Sequence, residues 1–98
     1  MRTSKVDMEV PDAEAVRVTD DTLEVELSDG RSISVPVSWF PRLLHGTSKE
    51  RSNWRLIGGG DGIHWEDLDE DISVEGLLAG RHSGESQESL RKWLEARQ

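Results

Sequence analysis

Between residues 14 and 37 the chain reads EAVRVTDDTLEVELSDGRSISVPV, and apolar and polar positions alternate through most of it. Val16 and Val18 oppose Ala15, Arg17 and Thr19. Leu23, Val25 and Leu27 oppose Glu24 and Glu26, and Ile33, Val35 and Val37 oppose Ser32 and Ser34. A period of two rich in β-branched residues predicts strands, because successive side chains of a strand point to opposite faces. Asp20-Asp21 and Asp29-Gly30 fall between the runs, and Asp-Gly between alternating runs is a strong hairpin signal. The expectation is a three-stranded antiparallel meander.

The period changes at Ser38. SWFPRLLHGT places Trp39, Phe40, Leu43 and Leu44 on one helical stripe, with Ser38 as N-cap, Pro41 in the first turn and Gly46 after the end. TSKERSN predicts a second helical turn capped by Thr47 or Ser48. WRLIG and GIHWEDL read as two strands joined by glycines. DISVEGLLAG predicts a short helix with Ser73 as cap, Glu75 in its first turn and Gly80 at its end. SQESLRKWLEARQ predicts an amphipathic helix capped by Ser86, with Leu90, Trp93 and Leu94 as its stripe. Residues 1–13 read as a polar tail or edge strand, 14–81 as the main domain and 82–98 as the C-terminal helix. The fold class is α+β: a small antiparallel sheet, the meander plus a further hairpin, with two to four short helices. Leu23, Val25, Leu27, Ile33, Val35, Leu43, Leu44, Leu56 and Leu77 are the expected core around a sheet of four or five strands.

Composition narrows the setting. A chain of 98 residues is one domain, and an apolar content of 34% makes its core thin, which favours a protein partner or a homodimer. There is no cysteine, hence no disulfide and no thiolate-bound zinc. No apolar run approaches the about 18 residues of a membrane span, and the N-terminus has no apolar segment of signal-peptide type. The expectation is a cytoplasmic protein with no membrane association. A net charge of −8 argues against autonomous nucleic-acid binding, which draws its affinity from basic residues on phosphates. The charge is uneven: residues 61–80 hold seven acids and no base, whereas residues 38–60 hold four bases and one acid. Such a block is either a solvated face or a field that steers a basic partner.

Candidate chemistry gathers in the same region. Gly58, Gly60 and Gly62 are spaced G-x-G-x-G ahead of a strand, with no lysine after them, so neither a dinucleotide fingerprint nor a P-loop fits. Asp67, Asp69 and Asp71 have the opening spacing of a calcium loop. Ile72 and Leu78 stand where that loop needs a glycine and a bidentate glutamate. Asp69, Glu70 and Asp71 are better explained as charge placed before a helix start. His64 shares no zinc spacing with His45 or His82. No catalytic residue, metal ligand or cofactor is assigned, and the reading leans away from an enzyme. Trp39 and Trp93 belong on helix stripes as core or interface anchors. The candidate interaction residues are His64, Trp65, Asp67, Asp69, Glu70 and Asp71.

DGR, WFPRL, GIHW and DLDEDISVEGLL together make the stretch from about Glu14 to Arg81 resemble the bacterial domain of unknown function 2442. The resemblance implies a small α+β domain without an established activity or cofactor. Some members of that family are encoded beside a second small protein and are regarded as antitoxins. Longer ones add a helix-turn-helix, for which the single helix after the matched stretch leaves no room here. The leading expectation is a protein-interaction module, an antitoxin-like partner of a small basic protein, with an exposed aromatic such as Trp65, or a nearby apolar residue, as its anchor. The alternatives are a small ligand-binding or enzymatic domain using Gly58 to Asp71, and an accessory domain of a DNA-binding regulator.

Overall fold

The alternating runs form the strands that their pattern predicts. In the computed structural model, which describes residues 10–97, they are β1 (Ala13–Val18), β2 (Thr22–Leu27) and β3 (Ser32–Pro36), antiparallel in the order β1-β2-β3. Leu23 lies between Val18 and Val35, and Val25 between Val16 and Ile33, so one face of the sheet is continuous apolar surface. Thr19 Oγ1 accepts from the amides of Asp21 and Thr22 at 3.2 and 3.0 Å and shapes the first turn. Gly30, at φ 94°, closes the second. Of the expected tail, residues 1–9 lie outside the described residues, and β1 begins only at Ala13.

A 3-10 turn (Val37–Trp39) leads into α1 (Pro41–Leu44) and α2 (Ser48–Ser52). Two expectations fail here, and a third, Gly46 after the helix end, holds in position but not in conformation. Ser38 sits inside the 3-10 turn, and α1 has no side-chain cap, its Pro41 removing one of the amides that a cap would satisfy. Leu44 is 39% exposed while Leu43 is fully buried: in a single helical turn, neighbouring residues point in different directions. Gly46 is not left-handed. It is small because the place of its Cβ lies 3.0 Å from Leu68 Cδ1. The carbonyls of Leu43 and Leu44 are capped instead by the buried Arg51, which donates to both at 2.8 Å. Thr47 and Glu50 form a capping box on α2.

The second half holds β4 (Trp54–Ile57), β5 (Gly62–Trp65), β6 (Glu70–Ser73), α3 (Val74–Leu78) and α4 (Gln87–Ala96). Ser73 and Ser86 cap the two helices as expected, and Gly80 follows α3 at φ 76°. The approach to α3 differs from the expectation. Glu70 and Asp71 lie in a third strand, paired with Trp65 and His64, and the acidic run ahead of them is a turn in which Asp69 adopts φ 50°. Only Ile72 marks the strand's inward face with an apolar side chain, so the period of two is hidden. The described residues therefore form two three-stranded antiparallel sheets rather than one sheet of four or five strands.

The core draws on both sheets. Leu23, Val25, Leu27 and Val35 meet Ile63, Trp65 and Ile72, and Phe40, Leu43, Leu68, Val74 and Leu77 close the layer. Ile33 and Leu56 are only partly buried. Trp65 has no exposed surface, and its Nε1 donates to the Arg51 carbonyl at 3.0 Å. Gly58, Gly59 and Gly60, all at positive φ, make the β4–β5 connection. Gly60 also joins the sheets: its carbonyl accepts from the Ala13 amide at 2.8 Å.

No residue of α4 is fully buried, and the helix rests on the core through the partly buried Trp93. The Trp93 ring lies between two guanidinium groups, Arg42 at 5.0 Å and Arg97 at 4.5 Å from its centroid. Arg42 pairs with Glu85 at 2.6 Å and Arg97 with Glu50 at 2.7 Å.

Candidate functional site

The predicted interaction residues are brought to the β5–β6 hairpin, but not to one face. His64 projects from the outer face, between Arg55 on β4 and Asp71 on β6. Its Nδ1 lies 2.5 Å from Asp71 Oδ1 and its Nε2 3.1 Å from Glu66 Oε1. Only the imidazolium, which donates from both nitrogens, satisfies two carboxylates at once. The His64 pKa is accordingly raised, chiefly by the hydrogen bond to Asp71, with Glu66 adding to it against desolvation.

Trp65 points the other way. Being fully buried, it cannot be the exposed anchor that was expected. Strand alternation places it inside once His64 is outside. Asp67 accepts from Asn53 Nδ2 at 2.9 Å, and Asp69 reaches Arg42 only at 4.0 Å. The three aspartates of the D-x-D-x-D spacing thus have different neighbours. Among the described residues no group of three or more histidines or carboxylates is arranged to hold a metal ion.

Glu70 stands at an inward position of β6 and is half-buried. Burial pushes its pKa up to about 7; Arg42 opposes this, while Glu85, Asp71 and Asp69 add to it. Arg42 spends its strongest bonds on Glu85, whose carboxyl is held below the usual range, and donates to the Leu68 carbonyl at 3.1 Å. Glu70 faces a groove of about 220 Å³ bounded also by Phe40, Leu77 and residues 81–84. That volume is below the roughly 300–1,000 Å³ of ordinary small-molecule pockets. Sequence reading missed the Arg42–Glu85 pair, which bridges residues far apart in the chain and has no local spacing to betray it. It also missed the stacking of Trp39 on His82, with centroids 4.0 Å apart.

These titrations set a pH dependence. Glu70 binds protons more tightly folded than unfolded, so its contribution is full below pH 4.5 and is lost as pH rises through about 7. His64 acts in the same direction from its ordinary 6.5 upward. Glu50 acts oppositely: Arg97 holds it at about 2, and its contribution is lost as pH falls from 4.5 through that value. Thermal unfolding between about pH 3 and pH 9 should therefore show a midpoint that falls from mildly acidic to alkaline pH. Glu70→Gln should flatten the fall below pH 7, and His64→Gln the fall above 6.5. A midpoint rising steadily from pH 5 to 8 would contradict both placements.

A family model described as Protein of unknown function (DUF2442) matches residues 13–83, from the first residue of β1 to beyond α3. The chain belongs to the DUF2442 family. This DUF2442 chain is similar in structure to a protein of unknown function from Rhodospirillum rubrum ATCC 11170. The TM-score is 0.69 and the identity 27%, over 81% of this chain and 98% of that one. It shares its fold with an uncharacterised protein from Chromobacterium violaceum solved by solution NMR, with a TM-score of 0.67 and 20% identity over 91% and 82% of the two chains. No curated protein matches the chain. No helix among the described residues is long and apolar enough to cross a membrane.

Proposed function

We propose that this DUF2442 domain is a protein-interaction module that docks a basic partner on the carboxylate-rich surface of its second sheet, in an antitoxin-like role. One observation carries the reading. Asp61, Asp67, Asp69 and Glu75 are exposed, and their one ion pair among the described residues is Asp69 to Arg42 at 4.0 Å, while Glu66 and Asp71, also exposed, are held by His64. Several carboxylates elsewhere are paired: Glu24 with Arg17, Asp20 with Arg51, Asp29 with Arg31, Glu50 with Arg97 and Glu85 with Arg42. A field left open in this way accelerates encounter with a positive partner and weakens with salt. With Trp65 inside, the apolar contact falls to the exposed Leu78 at the end of α3.

The test is binding kinetics against the neighbouring gene product, at two salt concentrations. Asn in place of Asp67, Asp69 and Asp71 should slow association about 10-fold at low salt and flatten its salt dependence, leaving dissociation nearly unchanged. Leu78→Ala should instead speed dissociation. Association indifferent to salt and to the three substitutions would end the steering role.

A further inference from the structure

Among the described residues, strand β6 is an edge of its sheet. Beyond its end, the Val74 amide donates to the Asp61 carbonyl at 3.0 Å, and this pair continues the register that joins Gly62 to Ser73 and Trp65 to Glu70. Hydrogen-bonded and non-hydrogen-bonded pairs alternate along an antiparallel ladder. Ile63–Ile72 and Trp65–Glu70 are therefore the bonded pairs, and Gly62–Ser73 and His64–Asp71 the others. Two details agree with that phase. The Ile72 carbonyl lies on the β5 side, 3.1 Å from where a Cβ on Gly62 would stand. The His64 and Asp71 side chains touch, as those of a close non-hydrogen-bonded pair do.

The Asp71 amide, the Asp71 carbonyl and the Ser73 amide consequently point away from the sheet, and none of them has a hydrogen-bond partner among the described residues. The Ser73 carbonyl is different, because it opens α3. The groove of about 220 Å³ is lined by all of β6, by residues 81–84 and by the buried Phe40 and Leu77. Its lining holds Glu70, half-buried and without a side-chain hydrogen bond among the described residues, together with Asp71 and one exposed guanidinium, Arg81.

We propose that the free edge of β6 takes an extended, lysine- or arginine-bearing segment of a partner protein as an added strand. Main-chain hydrogen bonds to Asp71 and Ser73 hold the segment, and a cationic side chain of it lies against Glu70. The inference rests on the interaction reading above and names its mode. An unpaired edge is a template for another strand, and strand addition takes its affinity from the main chain and its specificity from alternate side chains. The charge of the region selects a cation: residues 61–80 carry seven acids and no base. The groove is too small for a docked helix, whose diameter is about 10–12 Å, and has the room of one or two residues of extended chain.

The probe is a capped peptide of alternating lysine and valine, titrated into the full chain labelled with nitrogen-15 at low salt. At saturation the Asp71 and Ser73 amides should exchange with solvent about tenfold more slowly than in the free protein. The same peptide N-methylated at alternate residues keeps its charge but loses the donors of one edge, and should bind about tenfold more weakly. Glu70→Gln should weaken the unmodified peptide and leave the fold's other amide signals in place. Poly-lysine separates the two levels of the account. If poly-lysine binds but methylation makes no difference, or Asp71 and Ser73 gain no protection, strand addition is wrong and the acidic docking surface stands. If neither poly-lysine nor the peptide binds at low salt, the interaction reading fails and the strand inference with it.

Discussion

Replacing Trp65 by alanine is expected to destabilise the domain by about 3–5 kcal/mol, the usual cost of deleting a large buried aromatic. Trp65 has no exposed surface, pairs on β5 between Trp54 and Glu70, and bonds the Arg51 carbonyl through its indole N–H. Its removal opens a cavity between the sheets and frees a carbonyl next to the guanidinium that caps α1. Small domains have roughly 5–15 kcal/mol to lose, and a thin core places this one toward the lower end. Leu44→Ala is the control: with 39% of its surface exposed, Leu44 should cost less than about 1 kcal/mol. Urea unfolding at fixed pH measures both. Equal losses from the two substitutions would mean that the inner and outer faces have been misplaced.

Gly60→Ala should cost about 3 kcal/mol, whereas Gly59→Ala, one residue earlier, should cost about 1 kcal/mol. Both residues have positive φ, 72° at Gly59 and 119° at Gly60, so each pays for a side chain in backbone strain. The difference is space. A Cβ on Gly59 meets nothing within 4 Å, while one on Gly60 would stand 2.6 Å from Asp12 Cβ and 2.9 Å from the Ala13 carbonyl oxygen. Neither neighbour yields cheaply, because Ala13 is tied to the Gly60 carbonyl and opens β1. Denaturation midpoints of the two variants, measured side by side, decide whether this turn joins the sheets or only connects two strands.

The elements that the sequence announced are those whose signal is local. Strands β1 to β3 declared themselves because Leu23, Val25 and Leu27 alternate with glutamates, and the Asp29-Gly30 turn because only glycine takes its backbone angle easily. Thr47, Ser73 and Ser86 cap helices for the same local reason. Strand β6 was hidden because Glu70 occupies an inward position where an apolar residue would have shown the period. The burial that raises the Glu70 pKa is thus what concealed its strand. Leu44 was misplaced because a helical stripe was extended over a helix of one turn. The docking of α4 was legible only in part: Trp93 was on the right stripe and Arg97 stands four residues after it, but Arg42 comes from α1, far away in the chain, and leaves no spacing to read. In the candidate site, the acidic block was visible as composition. Which carboxylates remain open, and that Trp65 turns inward while His64 turns outward, followed only from the register of β5 with β6.

The decisive observation is where a basic partner touches the chain. Amide chemical-shift mapping of the full chain, titrated with the neighbouring gene product, measures that in one experiment. Shifts are expected to concentrate from Asp61 to Leu78, on the β5–β6 hairpin and α3, and to shrink as salt is raised. Shifts confined instead to the outer face of β1 to β3, or to the exposed side of α4, would contradict the assignment of the carboxylate-rich surface as the functional site.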